Sequence, residues 1–166
     1  MGTVGTCKCA KTFVRAGHFA CLEKHIPLSD ISAMMQELRS LAECEGIDPC
    51  FYTDKIILSV GIREQIDDMK ALHETWNTKM LMIDAPNGYI PSLVKRVEEL
   101  HIACPSAFII AGNIVDAAGA SEIIKAGAKC VKTGIGNGSC CRTRVKTGVG
   151  RPQASALIEV ADFAHQ

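Results

Sequence analysis

Residues 79–113, KMLMIDAPNGYIPSLVKRVEELHIACPSAFIIAGN, contain one complete copy of the pattern that decides the fold. An apolar run at residues 79–83 is followed by the polar loop 84–89, a helical stretch over 90–102 and a second apolar run at 107–111. Continuous apolar runs are typical of strands that are buried on both faces, as in a parallel sheet. The stretch therefore predicts one strand–helix–strand unit with a right-handed crossover.

The same alternation extends from this unit in both directions. Further strands are predicted at residues 18–23, 55–60 and 130–133, and further helices at 29–45, 63–76, 117–126 and 152–164. Ser29 or Asp30 is expected to cap the helix 29–45, and an amphipathic segment at 7–16 precedes the first strand. The pattern indicates an α/β fold with a parallel sheet. The sheet is either open and doubly wound or part of a (β/α)8 barrel, which needs about 250 residues.

The composition fits one globular domain and excludes several functional classes. Of the 166 residues 48% are hydrophobic and 22% are charged, with 18 basic and 18 acidic side chains. A disordered chain is excluded, and this balance supplies no field that would attract nucleic acid or an anionic membrane. No apolar run approaches the ~20 residues of a membrane span, so we expect a soluble, cytoplasmic protein. The nine cysteines include no Cys-x-x-Cys pair, and most are expected to be small buried residues without disulfides.

Three predicted strands end in segments with chemically useful residues. These segments begin at Asp84, at Gly112 with Asn113, and after Thr133. Ligands of α/β folds gather at the carboxyl ends of strands, so we expect the three segments to share one site.

The third segment is rich in glycine and carries two adjacent cysteines. Its alternating glycines allow a close approach of backbone to a ligand or ion, but their spacing matches neither the Rossmann fingerprint nor a P-loop. Ser139 offers a hydroxyl to a phosphate oxygen. Cys140 and Cys141 lie beside Arg142 and Arg144, whose charges would lower the pKa of a thiol.

Residues 134–144, GIGNGSCCRTR, resemble the signature G-[IV]-G-P-G-S-x-C-T-T-R of the IMP dehydrogenase/GMP reductase family. This register aligns Cys141, and not Cys140, with the nucleophile of that family. Similar segments extend over nearly the whole chain: MGTVGT (1–6), Lys24-His25, DAPNGY (84–89), AGN (111–113), KTGVG (146–150) and ADFAH (161–165). Most of them favour the reductase branch, whereas GRPQ at 150–153 occurs in some dehydrogenases.

The resemblance implies a parallel (β/α) barrel of the TIM type that is incomplete in this chain. Residues 1–166 would form a partial catalytic domain with strands two to six of eight. The chain would then be a fragment of a longer product, a decayed copy or a piece that needs a partner. Tetramers are usual in the family, so a homo-oligomer is expected.

The resemblance also implies a reaction. The Cys141 thiolate would attack C2 of GMP, ammonia would leave, and a hydride from NADPH would convert the covalent thioimidate to IMP. Thr143 would assist proton transfer at the leaving amine, and Ser139 with Gly138 would bind the nucleotide. The residues expected near the dinucleotide are Lys24, Asp84, Ala85, Pro86, Ile135 and Gly136. A potassium ion would bind the carbonyls of Gly136, Gly138 and Cys141, with Arg144 at the same site.

Two alternatives stay open. One is an enzyme of the IMP dehydrogenase type, and the other is a non-catalytic chain that binds only a purine nucleotide or an intact homologue. The chain departs from the family pattern near the nucleophile: Asn137 replaces a proline, Cys140 an apolar residue and Arg142 a threonine. Pro86 likewise replaces an alanine in the loop 84–89.

Overall fold

The computed structural model describes residues 3–62 and 65–165, in which strands and helices alternate. The strands are β1 (Ala20–Cys21), β2 (Ile56–Val60), β3 (Met80–Asp84), β4 (Phe108–Ile114) and β5 (Cys130–Thr133). The helices are α1 (Cys7–Arg15), α2 (Leu28–Cys44), α3 (Ile66–Trp76), α4 (Pro91–Ala103), α5 (Ala117–Lys125), α6 (Arg142–Thr147) and α7 (Gln153–Ala164). A 3-10 turn, Thr53–Lys55, precedes β2.

The five strands form one sheet in the order β1-β2-β3-β4-β5. The β1–β2 and β4–β5 pairs are parallel, with Ala20 opposite Ile56 and Ile110 opposite Cys130. Strands that follow each other in sequence are therefore neighbours in the sheet, and a helix connects each pair, as in a TIM-type barrel. A doubly wound sheet would reverse its strand order at a switch point. The prediction of an incomplete TIM-type barrel, with five of the eight strands, is confirmed.

The chain divides into two compact units, each with its own apolar side chains in the interior. The first unit contains residues Met1–Met82 and Ala103–Phe108. One face of α2 supplies much of its interior, through Ile31, Met34, Met35, Leu38 and Ala42, and these are residues that the 3.6-residue periodicity selects. The Arg39 guanidinium lies over the Trp76 ring and donates a hydrogen bond to the Trp76 carbonyl, which joins α2 to the end of α3.

The second unit contains residues Ile83–Ile102 and Ile109–Gln166, and it includes the carboxyl ends of β3, β4 and β5. Strands β3 and β4 and helices α4 and α5 supply its fully buried large side chains, which are Ile83, Leu93, Leu100, Ile109, Ile114 and Ile123. Helix α7 adds Ala156 and Val160. The strand ends therefore rest on a packed apolar layer. The second unit also contains the glycine-rich segment.

Two expectations about the first unit were wrong in detail. The strand predicted at 18–23 is only Ala20–Cys21, because Glu23 donates its backbone N–H to the carbonyl of Gly5 and leaves the sheet. Neither Ser29 nor Asp30 caps α2. The helix begins one residue earlier behind Pro27, whose carbonyl accepts the N–H of Asp30. The helix predicted from residue 63 begins at Ile66, and residues 63 and 64, like Met1, Gly2 and Gln166, lie outside the described residues.

Two expectations about the second unit were also wrong. Gly112 and Asn113 do not form a loop after a strand, because β4 continues through them to Ile114. The glycine-rich segment is not a loop throughout, since it contains the short helix α6.

The burial of the cysteines differs from the expectation as well. All nine are free thiols, in agreement with the prediction, but only Cys104 is buried, while Cys44, Cys130 and Cys140 are exposed. Among the helices within residues 3–62 and 65–165, none is both long and apolar enough to cross a membrane.

Candidate functional site

The carboxyl ends of β3, β4 and β5 are joined by backbone hydrogen bonds at one edge of the second unit. Ala85 N–H donates to Gly112 O at 2.9 Å, and Asn113 N–H donates to Ala85 O at 2.8 Å. On the other side of β4, Gly134 N–H donates to Ile114 O at 2.8 Å. The structure therefore brings together the three chain segments in which the sequence predicts a shared site.

An ion pair crosses this edge between Asp84, the last residue of β3, and Lys132 in β5. Lys132 lies opposite Gly112 in the β4–β5 register, and a Cβ atom at Gly112 would lie 2.3 Å from the Lys132 carbonyl oxygen. Glycine is needed there because the two backbones approach so closely. Sequence reasoning missed Lys132, although it is the only charged residue in the strand CVKT.

Two side-chain amides at this edge each have one oxygen that is buried without a hydrogen bond. Asn113 Nδ2 donates to Gly134 O at 2.7 Å, and Gln153 Nε2 donates to Thr133 O at 3.0 Å. Asn113 Oδ1 and Gln153 Oε1 have no partner among the described residues. A buried acceptor without a partner is unfavourable, so the edge is suited to a ligand with N–H or O–H donors. Gln153 was not predicted as a site residue.

The segment that follows β5 returns to its own starting point. Arg151 N–H donates to Ile135 O at 3.0 Å, and a Cβ atom at Gly136 would lie 2.7 Å from Val149 O. Gly136 has a φ of 64°, in the left-handed region that glycine adopts without cost. We call residues 135–151 the reactive loop. Its two ends are held together, so Cys141 has a defined position.

Within the reactive loop, Cys141 lies at the start of α6. Its N–H donates to Gly138 O at 3.0 Å, which closes a turn, and its side chain is half-buried. A hydrogen bond from the Thr143 hydroxyl is the largest cause that lowers the pKa of the Cys141 thiol, followed by one from the Thr143 backbone. Burial is the next largest effect and raises the pKa, while smaller contributions from the backbones of Arg144 and Gly136 lower it. Hydrogen bonds to the charged form favour the thiolate.

The cause of the lowered pKa of the Cys141 thiol differs from the one expected. The sequence suggested that the charges of Arg142 and Arg144 lower the thiol pKa. Both side chains are exposed, and the hydrogen bonds of Thr143 have the larger effect. Thr143 was predicted as a partner of Cys141 in proton transfer. Its hydroxyl is the largest cause of the lowered pKa of Cys141, and its role in proton transfer stays a prediction.

The other candidate residues have different surroundings. Ser139 and Cys140 are exposed, with Ser139 Oγ 3.9 Å from Cys140 Sγ. Ala85 is buried, and Pro86 beside it is exposed. Lys24 belongs to the first unit, where it is exposed in the turn after β1. No group of three or more His, Cys, Asp or Glu side chains that could hold a metal ion occurs within the described ranges.

The comparison with known proteins agrees with this arrangement. Over 169 residues, the chain is 38% identical to the GMP reductase of Vibrio vulnificus (strain YJ016) and 36% identical to that of Aeromonas hydrophila subsp. hydrophila. It is 36% identical over 167 residues to the GMP reductase of Serratia proteamaculans (strain 568). Each match covers 99% of this chain and 45% of the relative, so the chain spans just under half the length of these relatives.

The family model described as the IMP dehydrogenase / GMP reductase domain matches residues 1–166. With its strand order and the reactive loop around Cys141, the chain belongs to the IMP dehydrogenase / GMP reductase domain family.

Proposed function

We propose that this chain converts GMP to IMP and ammonia with NADPH, a reaction of purine nucleotide interconversion, through a covalent intermediate on Cys141. The observation that carries the proposal is the position of Cys141 in the reactive loop, at the start of α6 in a turn that its N–H closes onto Gly138 O. The hydroxyl of Thr143 lowers the pKa of the thiol there. The similar proteins that are named GMP reductases support the choice of substrate.

In this reaction Cys141 is the nucleophile. Its lowered pKa increases the thiolate fraction near neutral pH, and the thiolate is the reactive form. Its sulfur forms a bond to C2 of the purine while the C2–N bond to the amino group breaks, which leaves a thioimidate. Sulfur is also a good leaving group, so the enzyme is released when C2 is reduced. Thr143 lies two residues after Cys141 in α6, and we propose that its hydroxyl passes a proton to the departing amine.

The strand-end residues suit a bound dinucleotide. NADPH, when bound, supplies the hydride that reduces C2. Asp84 has a half-exposed carboxylate that accepts hydrogen bonds from hydroxyl groups, and its ion pair with Lys132 holds it at the edge. The unpartnered Asn113 Oδ1 is a further acceptor at the same edge. We propose that the dinucleotide is held in the second unit by Asp84, Ala85, Pro86, Ile135 and Gly136.

The backbone of the reactive loop offers carbonyl oxygens, which are the type of ligand atom that a monovalent cation prefers. Potassium is a hard cation that prefers oxygen ligands, and we propose the carbonyls of Gly136, Gly138 and Cys141, with Arg144 at the same site. Gly138 O already accepts the N–H of Cys141, but a carbonyl oxygen has a second lone pair. The ion would fix these carbonyls and so hold the turn that positions Cys141.

Nucleotide binding is assigned to the turn before Cys141. Ser139 is exposed there, and its hydroxyl can donate to a phosphate oxygen, while Gly138 leaves the adjacent backbone open. A Cβ atom at Gly138 would have its nearest neighbour at 3.8 Å, so there is room beside the turn for a ligand.

The test is NADPH oxidation by the purified chain with GMP and potassium, followed at the absorbance of the reduced nicotinamide. We expect turnover in the wild-type chain and none in Cys141→Ala, with Cys44→Ala as a matched control at an exposed thiol at the end of α2. Absence of turnover from a chain with native circular dichroism would contradict the proposal for this polypeptide. Turnover of IMP with NAD instead would show an enzyme of the IMP dehydrogenase type.

A second candidate function is purine nucleotide binding without catalysis, alone or together with an intact homologue. The observation that favours it is the exposed side chain of Arg142 directly after Cys141, where the family pattern has a threonine. This candidate predicts GMP binding by calorimetry, equal in wild type and Cys141→Ala, with no NADPH oxidation. We further propose a cytoplasmic homo-oligomer, as the family resemblance implies, and light scattering would measure its mass.

A further inference from the structure

A cavity of about 650 Å³ lies between helices α4 and α5 of the second unit, and no residue of the reactive loop lines it. Its apolar lining consists of Tyr89, Ile90, Pro91, Val94 and Ala118. Pro91, Val94 and Glu98 follow at intervals of three or four residues and so share one face of α4, as Ala118 and Glu122 share one face of α5. The volume falls within the range of about 300–1,000 Å³ that small-molecule sites occupy.

The Tyr89 ring forms a fixed wall of this cavity. Its hydroxyl accepts the N–H of Val115 at 2.9 Å, which joins the loop 84–89 to the segment before α5. A Cβ atom at Gly119 would lie 2.9 Å from the ring carbon Cε1, so only glycine leaves room for the ring at this position. The Tyr89 side chain is nevertheless 43% exposed. An accessible aromatic ring that is held in place can bind an ammonium group.

The charged side chains of the lining are two carboxylates and one ammonium group, from Glu98, Glu122 and Lys95. Glu98 forms no ion pair within residues 3–62 and 65–165. Lys95 Nζ lies 3.8 Å from Glu99 Oε1, and Glu122 Oε1 lies 3.7 Å from Lys125 Nζ, but neither of these two partners lines the cavity. The lining is therefore net negative, and its charge is complementary to that of a cation.

We propose that the cavity between α4 and α5 binds a small organic cation with an apolar body, such as an aryl-alkyl amine. The apolar walls contact the hydrocarbon part of the ligand, and the Tyr89 ring with the carboxylates attracts its ammonium group. An anion of the same shape meets two carboxylates and is repelled. This binding does not depend on the function proposed above, because no residue assigned to that function lines the cavity.

The test compares three compounds that share one apolar body. Phenylbutylamine, phenylbutanol and phenylbutyrate carry a positive charge, no charge and a negative charge near neutral pH. Their binding to the purified, isotope-labelled chain is followed by the shifts of backbone amide signals in two-dimensional NMR spectra. We expect the amine to shift the amides of Gly88 and Gly119, which line the cavity. It should bind about tenfold more tightly than the alcohol, because each of two accessible carboxylates adds roughly threefold.

Four variants separate the contributions of charge and shape. Glu98→Gln should weaken amine binding about threefold and leave alcohol binding unchanged, whereas Lys95→Gln should strengthen amine binding about twofold, because it removes a repelling charge. Ala118→Trp, at an exposed position of α5, should abolish the binding of both compounds, because the indole fills the cavity. Glu43→Gln, at an exposed position of α2 in the first unit, is the matched control and should change neither affinity.

Equal affinity for the amine and the alcohol would overturn the proposal, as would the absence of amine binding at millimolar concentration. Amide shifts confined to residues outside the cavity would also overturn it, and so would wild-type affinity in Ala118→Trp. None of these measurements requires turnover. Failure of this proposal is therefore distinguishable from failure of the chain to reduce GMP.

Discussion

Replacing Gly112 with alanine should destabilise the second unit, because the added methyl group would clash with β5. The new Cβ would lie 2.3 Å from Lys132 O and 2.8 Å from Lys132 Cβ, and real Cβ atoms do not approach within 3.0 Å. The β4 and β5 backbones must therefore separate by about 0.7 Å or more, and such overpacking costs about 1–3 kcal/mol. The hydrogen bond from Gly134 N–H to Ile114 O between these two segments, at 2.8 Å, would stretch, at about 1 kcal/mol.

Together these effects lower the free energy of unfolding by about 2–4 kcal/mol. The assay is urea denaturation followed by far-ultraviolet circular dichroism, in which a loss of this size moves the midpoint by more than about 1 M. Gly138→Ala is the matched control, because its Cβ would meet nothing closer than 3.8 Å and should change stability by less than about 1 kcal/mol. If Gly112→Ala unfolds at the same urea concentration as the control, the close approach of β4 to β5 is not as described.

Two further predictions concern titrating groups. Thr143→Val removes the hydroxyl that most lowers the pKa of Cys141, so the pH midpoint for alkylation of Cys141, measured in Cys140→Ser, should rise, whereas Thr143→Ser should keep it. An unchanged midpoint in the valine variant would show that the hydroxyl does not act on the thiol. Hydrogen bonds from Ala117 N–H and then from Arg151 lower the pKa of Glu159. A lowered carboxyl pKa adds stability above the ordinary Glu pKa, which is lost as pH falls through the lowered value, so Glu159→Gln should flatten the acid side of the stability curve. A variant with the wild-type acid slope in pH-dependent urea melts would contradict this assignment.

The strands were largely predictable because their signal is local. The run 130–133 is β5 with the same bounds. The run 55–60 differs from β2 by one residue at its start, and 79–83 differs from β3 by one residue at each end. Each is a short apolar run that is bounded by polar or turn-forming residues, which is the strongest local signal of a buried strand. The sequence pattern left an open sheet as an alternative, because the order of strands depends on pairings between residues that are far apart in the chain. The family resemblance favoured the barrel.

Helix α6 was missed because it has no apolar periodicity. None of its six residues, RTRVKT, has a buried side chain. A helix without a buried face has no periodically spaced apolar residues by which it could be predicted. The one available signal was Gly148, which ends the helix in a left-handed conformation with φ 69°, as glycines after helices often do.

The partners of site residues were harder to predict than the residues themselves. Asp84 and Cys141 stand out by residue type and by their positions after strands. That Lys132 pairs with Asp84, and that Thr143 rather than an arginine charge acts on Cys141, depends on distances between side chains. Cys44 and Cys130 are exposed, although cysteines in general tend to be buried. That tendency does not predict the direction in which an individual side chain points.

The reactive loop leaves and rejoins the sheet at nearly the same point, because Ile135 and Arg151 are bonded to each other. Between these two residues the chain can change in length and composition while the strands keep their register. Substitutions such as Asn137 and Arg142 therefore fall in a part of the molecule that selection on chemistry can alter without altering the fold. The strands of the barrel and the loop that contains Cys141 can therefore change independently of each other during evolution.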